Sequence, residues 1–334
     1  MTKIGICMPR DRYEQVFRAE SRRWIREQFQ VVYTAEAGGM NWGELSSVCE
    51  DVEVLLTGWG TRRMEDELVG DFKKLRLVAN ASGGVRSHLP MALWESGVEV
   101  LTASYALGWG VAEYALGMML MASKRVFWLD REIRAGGWRE SVDAFGRWFE
   151  LYRTPIGIMG AGQSGGILAE LLKPFGAKVK IYDPYVDDQR IARLGAVRVG
   201  SLEELVETCS VVSIHAALTE ETAGIFDLEM LSKIQDGAVF INVSRGGLIE
   251  ETALIEELSK ERFIACLDVF MEEPFPVEHP FRSMRNVVLT PHVAGAVAEN
   301  RYRMGDLIVE ELQRYLNGEA RKHRVEMMRV SAIA

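Results

Sequence analysis

One glycine-rich segment constrains the fold of this chain more than any other feature, and it reads Gly160-Ala161-Gly162-Gln163-Ser164-Gly165. The pattern G-x-G-x-x-G is weak alone, because 31 glycines in 334 residues produce chance matches. Its context is specific, since the apolar run IGIM precedes it and the amphipathic stretch GGILAELLKPFG follows. A strand, a glycine turn and a helix in this order predict a unit that binds a pyrophosphate at the helix N-terminus.

A carboxylate ends the next predicted strand, KVKIYD, at Asp183, 18 residues after Gly165. A carboxylate there accepts hydrogen bonds from both adenosine ribose hydroxyls and repels a 2′-phosphate. The neighbours Pro184 and Tyr185 supply no Arg for that phosphate. The sequence therefore predicts NAD rather than NADP, the alternative being an ordinary strand-end Asp beside a proline turn.

Short apolar runs alternate with amphipathic stretches along most of the chain. The predicted strands are 3–8, 30–34, 52–57, 75–81 and 98–102 in the first third, then 156–159, 178–182, 211–215, 238–243, 263–269 and 287–290. Apolar residues at helical spacing predict helices between the strands, as in 18–28 and 62–72. Longer helices are predicted at 111–135 and 299–316. Because the runs are nearly all apolar, they predict an α/β fold with parallel strands buried on both faces.

Length and composition limit the possible functions. At about 150 residues per domain, 334 residues predict two domains. A net charge of −9 argues against nucleic-acid binding, which needs clustered Lys and Arg. Scattered cysteines without a CxxC pair give no zinc ligand set. No signal peptide or membrane-spanning run of about 18 apolar residues is evident, so the predicted location is the cytoplasm.

Three chemically active residues follow successive predicted strands: Arg245, Glu273 and His292. Because ligands bind at the carboxyl ends of parallel strands, we expect the three to converge near the cofactor. His292 is suited to transfer the hydroxyl proton of a 2-hydroxy acid, Glu273 to orient its ring, and Arg245 to bind the carboxylate. Taken singly, the alternatives are a structural His, a solvated Glu-Pro turn, and an Arg that caps a helix or pairs with Glu250.

The chain resembles the D-isomer-specific 2-hydroxyacid dehydrogenase family over nearly its whole length. The similar segments are GAGQSGGILAELLKPFGAKVKIYDPY, HAALTEETAGIFDLEMLSKIQDGAVFINVSRGGLIEETALIEEL, LDVFMEEP and LTPHVAG. The resemblance implies that Arg245 binds substrate, that Glu273 is the acid partner and that His292 is the proton donor. Residues implied to bind the cofactor are Gly160, Gly162, Gln163, Ser164, Gly165, Asp183, His215 and Asp268.

The resemblance also implies two doubly wound parallel-sheet domains. A Rossmann NAD-binding domain, residues 106–295, is inserted into a discontinuous flavodoxin-like substrate domain, residues 1–105 plus 296–334. The implied cleft between the domains closes over a small D-2-hydroxy or 2-oxo acid, and the helix from Val111 builds a homodimer interface. Gly83 and Gly84 lie in a loop similar to the one whose N–H groups hold the substrate carboxylate.

Several positions depart from the family pattern or stay open. Ala217 replaces a usual Pro, Ser210 a common Asp, and Arg86 stands where Asp is usual. We hypothesise that Arg86 or His88 reads an extra anionic group on the substrate, the alternative being a solvent-facing loop. Trp109 either walls the nicotinamide pocket or fills the domain junction.

Other functions are weighed against this one. An NAD(H)-sensing corepressor of the same fold is the alternative from another class. A formate dehydrogenase is disfavoured because enzymes of that kind have Gln at the position of Glu273. Phosphite oxidation uses a similar set of Arg, Glu and His, so it stays open as an alternative. His279 and His323 are predicted to be surface groups, and the tail cluster 321–324 to be solvated.

Overall fold

The computed structural model describes residues 1–35, 42–43, 45, 50–138 and 148–327. The chain divides into two compact units, Met1–Leu107 with Ala296–Ala334, and Gly108–Gly295. The first unit is thus discontinuous, and the second is inserted into it. Among the described residues, no helix combines the length and the apolar character needed to cross a membrane.

The described part of the first unit is built on a five-stranded parallel sheet. Its strands are β1 (Lys3–Ile6), β2 (Gln30–Thr34), β3 (Val54–Thr57), β4 (Leu77–Asn80) and β5 (Glu99–Thr102). They lie in the order β2-β1-β3-β4-β5, which is the flavodoxin-like order. Strands β3 and β4 are buried along their whole length, as expected for parallel strands covered on both faces. The predicted fold class is confirmed for this unit.

Helices cover this sheet. They are α1 (Arg10–Val16), α2 (Ala19–Gln28), α3 (Ala92–Glu95) and, near the carboxyl end of the chain, α11 (Ala298–Leu316). Buried residues of α11, including Met304, Ile308 and Leu312, pack into the same core as β1, β3 and β4. The helix predicted within 62–72 is wrong, because only a 3₁₀ helix, Asp66–Asp71, forms there. That segment contains Gly70, which disfavours an α-helix.

The second unit holds a larger parallel sheet, with seven strands among the described residues. They are β6 (Pro155–Met159), β7 (Lys178–Tyr182), β8 (Val197–Arg198), β9 (Val211–Ile214), β10 (Val239–Asn242), β11 (Ile264–Leu267) and β12 (Val287–Leu289). The order β12-β11-β10-β9-β6-β7-β8 reverses direction at β6, as in a Rossmann sheet. The prediction of six strands missed β8, which is two residues long, lies at an edge and has no apolar run.

Two helices replace the single predicted helix 111–135. They are α4 (Ser104–Ser123) and α5 (Val126–Arg134). Arg125 separates them, because its φ of 56° is left-handed and cannot continue a right-handed helix. Helix α4 also begins seven residues earlier than predicted and includes Gly108. A Cβ at Gly108 would lie 3.2 Å from the backbone nitrogen of Ser164, so this glycine permits close packing.

Further helices lie between the strands of the second unit: α6 (Gln163–Leu172), α7 (Asp188–Arg193), α8 (Leu202–Thr208), α9 (Leu228–Ser232) and α10 (Glu251–Ser259). Buried residues from β6, β9, β10 and β11 form the core with these helices. Cys7, Cys209 and Cys266 are buried; Cys49 lies outside the described residues.

Candidate active site

The glycine-rich loop connects β6 to helix α6, and its three motif glycines differ in how closely other atoms approach them. Gly160 has a φ of +93°, and a Cβ there would lie 2.9 Å from the backbone nitrogen of Ala216. A Cβ at Gly165 would lie 1.9 Å from the carbonyl oxygen of Gly160. A Cβ at Gly162 would meet no described atom within 4 Å. The first and third glycines are therefore required by packing, and the second leaves space at the N-terminus of α6.

Asp183 lies against this loop at the end of β7, with 8% of the residue exposed. Its Oδ2 accepts a hydrogen bond of 2.7 Å from the Ala161 N–H. Its Oδ1 accepts from the N–H groups of Tyr185 at 2.9 Å and Val186 at 3.2 Å. The carboxylate is thus fixed beside the glycine turn, and its predicted contact with an adenosine ribose stays a prediction.

Arg190 is a residue of this region that sequence reasoning missed. From helix α7 its Nε and Nη2 donate to the Ala161 carbonyl at 3.4 and 3.3 Å, and Nη2 reaches the Gly162 carbonyl at 3.4 Å. The residues directly after Asp183, Pro184 and Tyr185, carry no positive charge. The fold brings an exposed guanidinium to the loop from seven positions further along.

His215 follows β9 and links two serines. Its Nδ1 lies 3.0 Å from Ser164 Oγ, at the start of α6, and its Nε2 lies 2.9 Å from Ser213 Oγ. Burial lowers its pKa to about 3, so the ring is neutral at physiological pH. A neutral imidazole in these contacts fixes the Ser164 side chain on the phosphate loop.

Arg245 follows β10 in an extended conformation. Its Nη1 donates to the Ser244 carbonyl at 2.7 Å, and its own carbonyl accepts from Asn242 Nδ2 at 2.9 Å. Burial lowers the pKa of Arg245, and the negative charge of Glu273 opposes that shift. The guanidinium remains a cation within electrostatic range of Glu273.

The loops carrying Arg245 and Glu273 pack closely because of Gly246. A Cβ at Gly246 would lie 2.0 Å from the carbonyl carbon of Phe270, so no larger residue fits. Glu273 Oε1 accepts a hydrogen bond of 3.1 Å from the Phe270 N–H. The backbone of this loop therefore orients the Glu273 carboxylate.

His292 contacts Glu273 directly. Its Nδ1 lies 2.7 Å from Glu273 Oε2, and the two side chains are 50% and 37% exposed. Nε2 is then the ring nitrogen left to face a ligand. The φ of His292 is +53°, a left-handed conformation that only a few per cent of residues other than glycine adopt and that often marks a functional site.

Asp268 is completely buried at the end of β11. Its carboxylate accepts hydrogen bonds from the Thr290 hydroxyl at 2.6 Å and from the N–H groups of Val293 and Ala294 at 2.9 Å. These contacts anchor the turn that carries His292. Its predicted contact with the cofactor stays a prediction.

Gly83 and Gly84 lie in the first unit, after β4. The Gly83 carbonyl accepts from Thr102 Oγ1 at 2.8 Å, and the Gly84 carbonyl from Asn80 Nδ2 at 3.0 Å. Side-chain hydrogen bonds to both carbonyls fix the loop. The binding of a substrate carboxylate by its N–H groups stays a prediction.

Arg86 and His88 lie in different environments. Arg86 is exposed. His88 is 4% exposed, and its Nε2 lies 3.1 Å from Asn80 Oδ1. Burial lowers the pKa of His88 to about 4. A buried ring with a lowered pKa is less suited than the exposed Arg86 to an anionic group. The hypothesis that Arg86 or His88 recognises a second anionic group stays a prediction.

Two further predictions need correction. His279 is not a surface group without partners: its Nε2 lies 3.1 Å from Glu251 Oε1, and Phe275 and Phe281 flank its ring. The tail cluster is not simply solvated, because Arg321 pairs with Glu99 on β5. In the described part of the chain, no group of three or more His, Cys, Asp or Glu residues is arranged to hold a metal ion.

Trp109 and His323 are also partly covered. Trp109 packs against the core of the second unit. The ring of His323 stacks on Tyr105 with centroids 5.5 Å apart, so this histidine is not a bare surface group either.

Comparison with known proteins identifies the same family as the motifs. Residues 116–294 match the family model described as D-isomer specific 2-hydroxyacid dehydrogenase, NAD binding domain. This match confirms NAD as the predicted cofactor. A glyoxylate reductase from Korarchaeum cryptofilum is 34% identical over 251 residues, which cover 74% of each chain.

A longer relative and a solved structure are also similar to this chain. The D-3-phosphoglycerate dehydrogenase of Methanocaldococcus jannaschii is 30% identical over 292 residues, covering 87% of this chain and 55% of that protein. The chain thus spans about half the length of the phosphoglycerate dehydrogenases that it matches. A crystal structure of a Pyrococcus horikoshii protein shares the fold, with a TM-score of 0.82, 24% identity and 99% of each chain covered.

Proposed function

Because the chain belongs to the D-isomer-specific 2-hydroxyacid dehydrogenase family, we propose that it interconverts a small D-2-hydroxy acid and its 2-oxo acid with NAD. The observation that carries the proposal is the 2.7 Å contact between His292 Nδ1 and Glu273 Oε2. A carboxylate on one ring nitrogen leaves the other to exchange a proton with substrate.

The residues of the second unit fit an NAD molecule. Space beside Gly162 and the N-terminus of α6 suit a pyrophosphate, and Asp183 beside the loop suits a ribose. Ser164 and His215 brace the loop, and Gln163 begins the helix. NAD supplies the site that accepts or donates the hydride when it is bound.

The chain's own residues handle the proton and the carboxylate. In reduction, His292 gives a proton to the substrate carbonyl oxygen, while Glu273 holds the other ring nitrogen and orients the imidazole. In oxidation, the same ring takes the hydroxyl proton. Arg245 binds the substrate carboxylate and polarises the adjacent carbonyl.

Each unit has a proposed role. The unit Gly108–Gly295 binds NAD, and the unit with Gly83 and Gly84 provides backbone groups for the substrate carboxylate. The homodimer remains a prediction, and sedimentation of the purified protein tests it.

A substrate panel tests the proposed function. NADH oxidation is measured with glyoxylate, hydroxypyruvate, pyruvate and the 2-oxo acid derived from 3-phosphoglycerate, because relatives named for glyoxylate and phosphoglycerate match the chain. Saturable turnover on at least one of them is expected. Tight NADH binding without turnover on any of them would contradict the proposal and favour the NAD(H)-sensing corepressor.

A further inference from the structure

The turn that carries His292 is tied to one buried residue by four hydrogen bonds. The Asp268 carbonyl accepts from the His292 N–H at 2.8 Å. The Asp268 carboxylate accepts from Thr290 Oγ1, Val293 N and Ala294 N. Every one of these donors belongs to the five residues 290–294. The position of His292 is therefore set by groups on both sides of it in the sequence.

Tyr114 extends this network from helix α4. Its hydroxyl hydrogen-bonds to Thr290 Oγ1. A threonine hydroxyl has one proton, and Thr290 donates it to Asp268, because an ionised carboxylate only accepts. Tyr114 must then be the donor to Thr290. Burial raises the pKa of Tyr114 to about 12, so its hydroxyl keeps that proton throughout the physiological range.

The backbone of His292 needs such support. A histidine with a φ of +53° is in a sparsely populated region, which persists only where surrounding contacts determine it. In this conformation the imidazole Nδ1 meets Glu273 Oε2. Loss of the network would let the turn relax toward an ordinary φ and carry the ring away from the carboxylate.

We propose that Tyr114, Thr290 and Asp268 form a positioning cluster, which holds His292 in its left-handed conformation against Glu273. The proposal deepens the proposed function and rests on it, since the cluster acts through the proton-transferring ring. Tyr114 and Thr290 are positioning residues and not catalytic ones, because they act on His292 through Asp268 and the backbone.

Thr290 and Tyr114 are the places to test the cluster, because Asp268 is also a predicted cofactor contact. Thr290→Val removes the hydroxyl that joins Tyr114 to Asp268 and keeps the size and branching of the side chain. Thr290→Ser retains the hydroxyl, and Tyr114→Phe removes only the outer donor. Tyr13→Phe is the matched control, since Tyr13 is a buried tyrosine of the other unit whose hydroxyl has no hydrogen-bond partner among the described residues.

Steady-state kinetics separate positioning from stability. Thr290→Val is expected to lower kcat for 2-oxo acid reduction by at least about tenfold, while the Kd for NADH changes less than about threefold. In Tyr114→Phe, kcat should fall less, by about threefold. Thr290→Ser, which retains the hydroxyl, should keep most of the wild-type kcat. Wild-type kcat in Thr290→Val, or an equal loss in Tyr13→Phe, would overturn the proposal.

A second measurement keeps the cluster testable if the protein turns over no 2-oxo acid. The imidazole ¹H–¹³C cross-peak of His292 is identified by its loss in His292→Gln. It should move in Thr290→Val and stay in place in Tyr13→Phe. Failed turnover with a moved cross-peak would reject the proposed function alone, and an unmoved cross-peak would reject the cluster.

Discussion

The Nδ1 atom of His292 lies 2.7 Å from Oε2 of Glu273, although the two residues are 19 positions apart in the chain. Two loops at the carboxyl ends of adjacent strands, β11 and β12, create this contact. Glu273 is held by the Phe270 N–H, and His292 by the Asp268 carbonyl. The backbone therefore orients both partners, and the half-exposed ring remains able to exchange a proton.

Replacing the ring should remove turnover and spare cofactor binding. We expect His292→Ala to lower kcat by about 10²–10⁴-fold, the usual contribution of general acid–base catalysis. The Kd for NADH, measured by fluorescence, should stay near the wild-type value, because proton transfer acts in the transition state. His323→Gln in the first unit serves as the histidine control. Unchanged turnover in His292→Ala would remove His292 from its proposed role.

Alanine substitutions in the glycine loop should distinguish a glycine that the packing of the protein requires from a glycine that leaves space for the cofactor. In Gly165→Ala the new methyl group would collide with the Gly160 carbonyl, so we expect a lower Tm and lost NADH binding. In Gly162→Ala no described atom lies within 4 Å, so the Tm should be retained while the NADH Kd rises at least about tenfold.

Gly117→Ala is the control for both variants. Gly117 lies inside helix α4 and is likewise open, and alanine there should raise stability by about 0.5–1 kcal/mol without affecting NADH. Normal NADH affinity in Gly162→Ala would show that the cofactor does not approach this backbone.

Asp183 and Arg190 should together set the choice between NADH and NADPH. Asp183→Ser removes the carboxylate that repels a 2′-phosphate, and we expect kcat/KM with NADPH to rise at least about tenfold relative to NADH. The guanidinium of Arg190 already reaches the loop, so it should hold the phosphate in that variant.

The double variant Asp183→Ser/Arg190→Gln tests this role of Arg190. It should lose most of the gain with NADPH, while Arg190→Gln alone leaves NADH kinetics close to wild type. An NADPH gain that survives in the double variant would exclude Arg190.

Most strands could be predicted because a strand buried on both faces must be apolar along its length. The apolar pattern did not predict elements whose position depends on contacts between residues far apart in the sequence. Strand β8 is two residues at an edge and has no apolar signature. Gly108 fits inside α4 because Ser164 and Ile167 of α6 pack closely against it. No local pattern in the sequence indicates that these two helices meet at this glycine.

The site shows the same division between local and distant information. The contact between Glu273 and His292 could be expected, since both follow neighbouring strands of one sheet. The approach of Arg190 to the glycine loop depends on the direction of α7 and has no local signal. The burial of His88 beside Asn80 likewise follows from tertiary packing, whereas its sequence neighbours Arg86 and Ser87 are exposed.

That burial predicts a loss of stability in acid. The pKa of His88 is lowered to about 4 in the folded chain, against its ordinary value of 6.5. Between pH 6.5 and pH 4, His88 binds a proton in the unfolded chain but not in the folded chain. The free energy of unfolding therefore falls as the pH drops from 6.5 toward 4. At about pH 4.5 this histidine should cost about 2–3 kcal/mol of stability relative to pH 7.

The variant His88→Gln measures this contribution. Glutamine keeps an N–H donor for Asn80 Oδ1 and does not titrate. Urea unfolding followed by tryptophan fluorescence at pH 7 and about pH 4.5 should therefore show a smaller acid loss in His88→Gln than in wild type. Equal losses in the two proteins would mean that His88 is protonated in the folded chain or that other groups dominate acid unfolding.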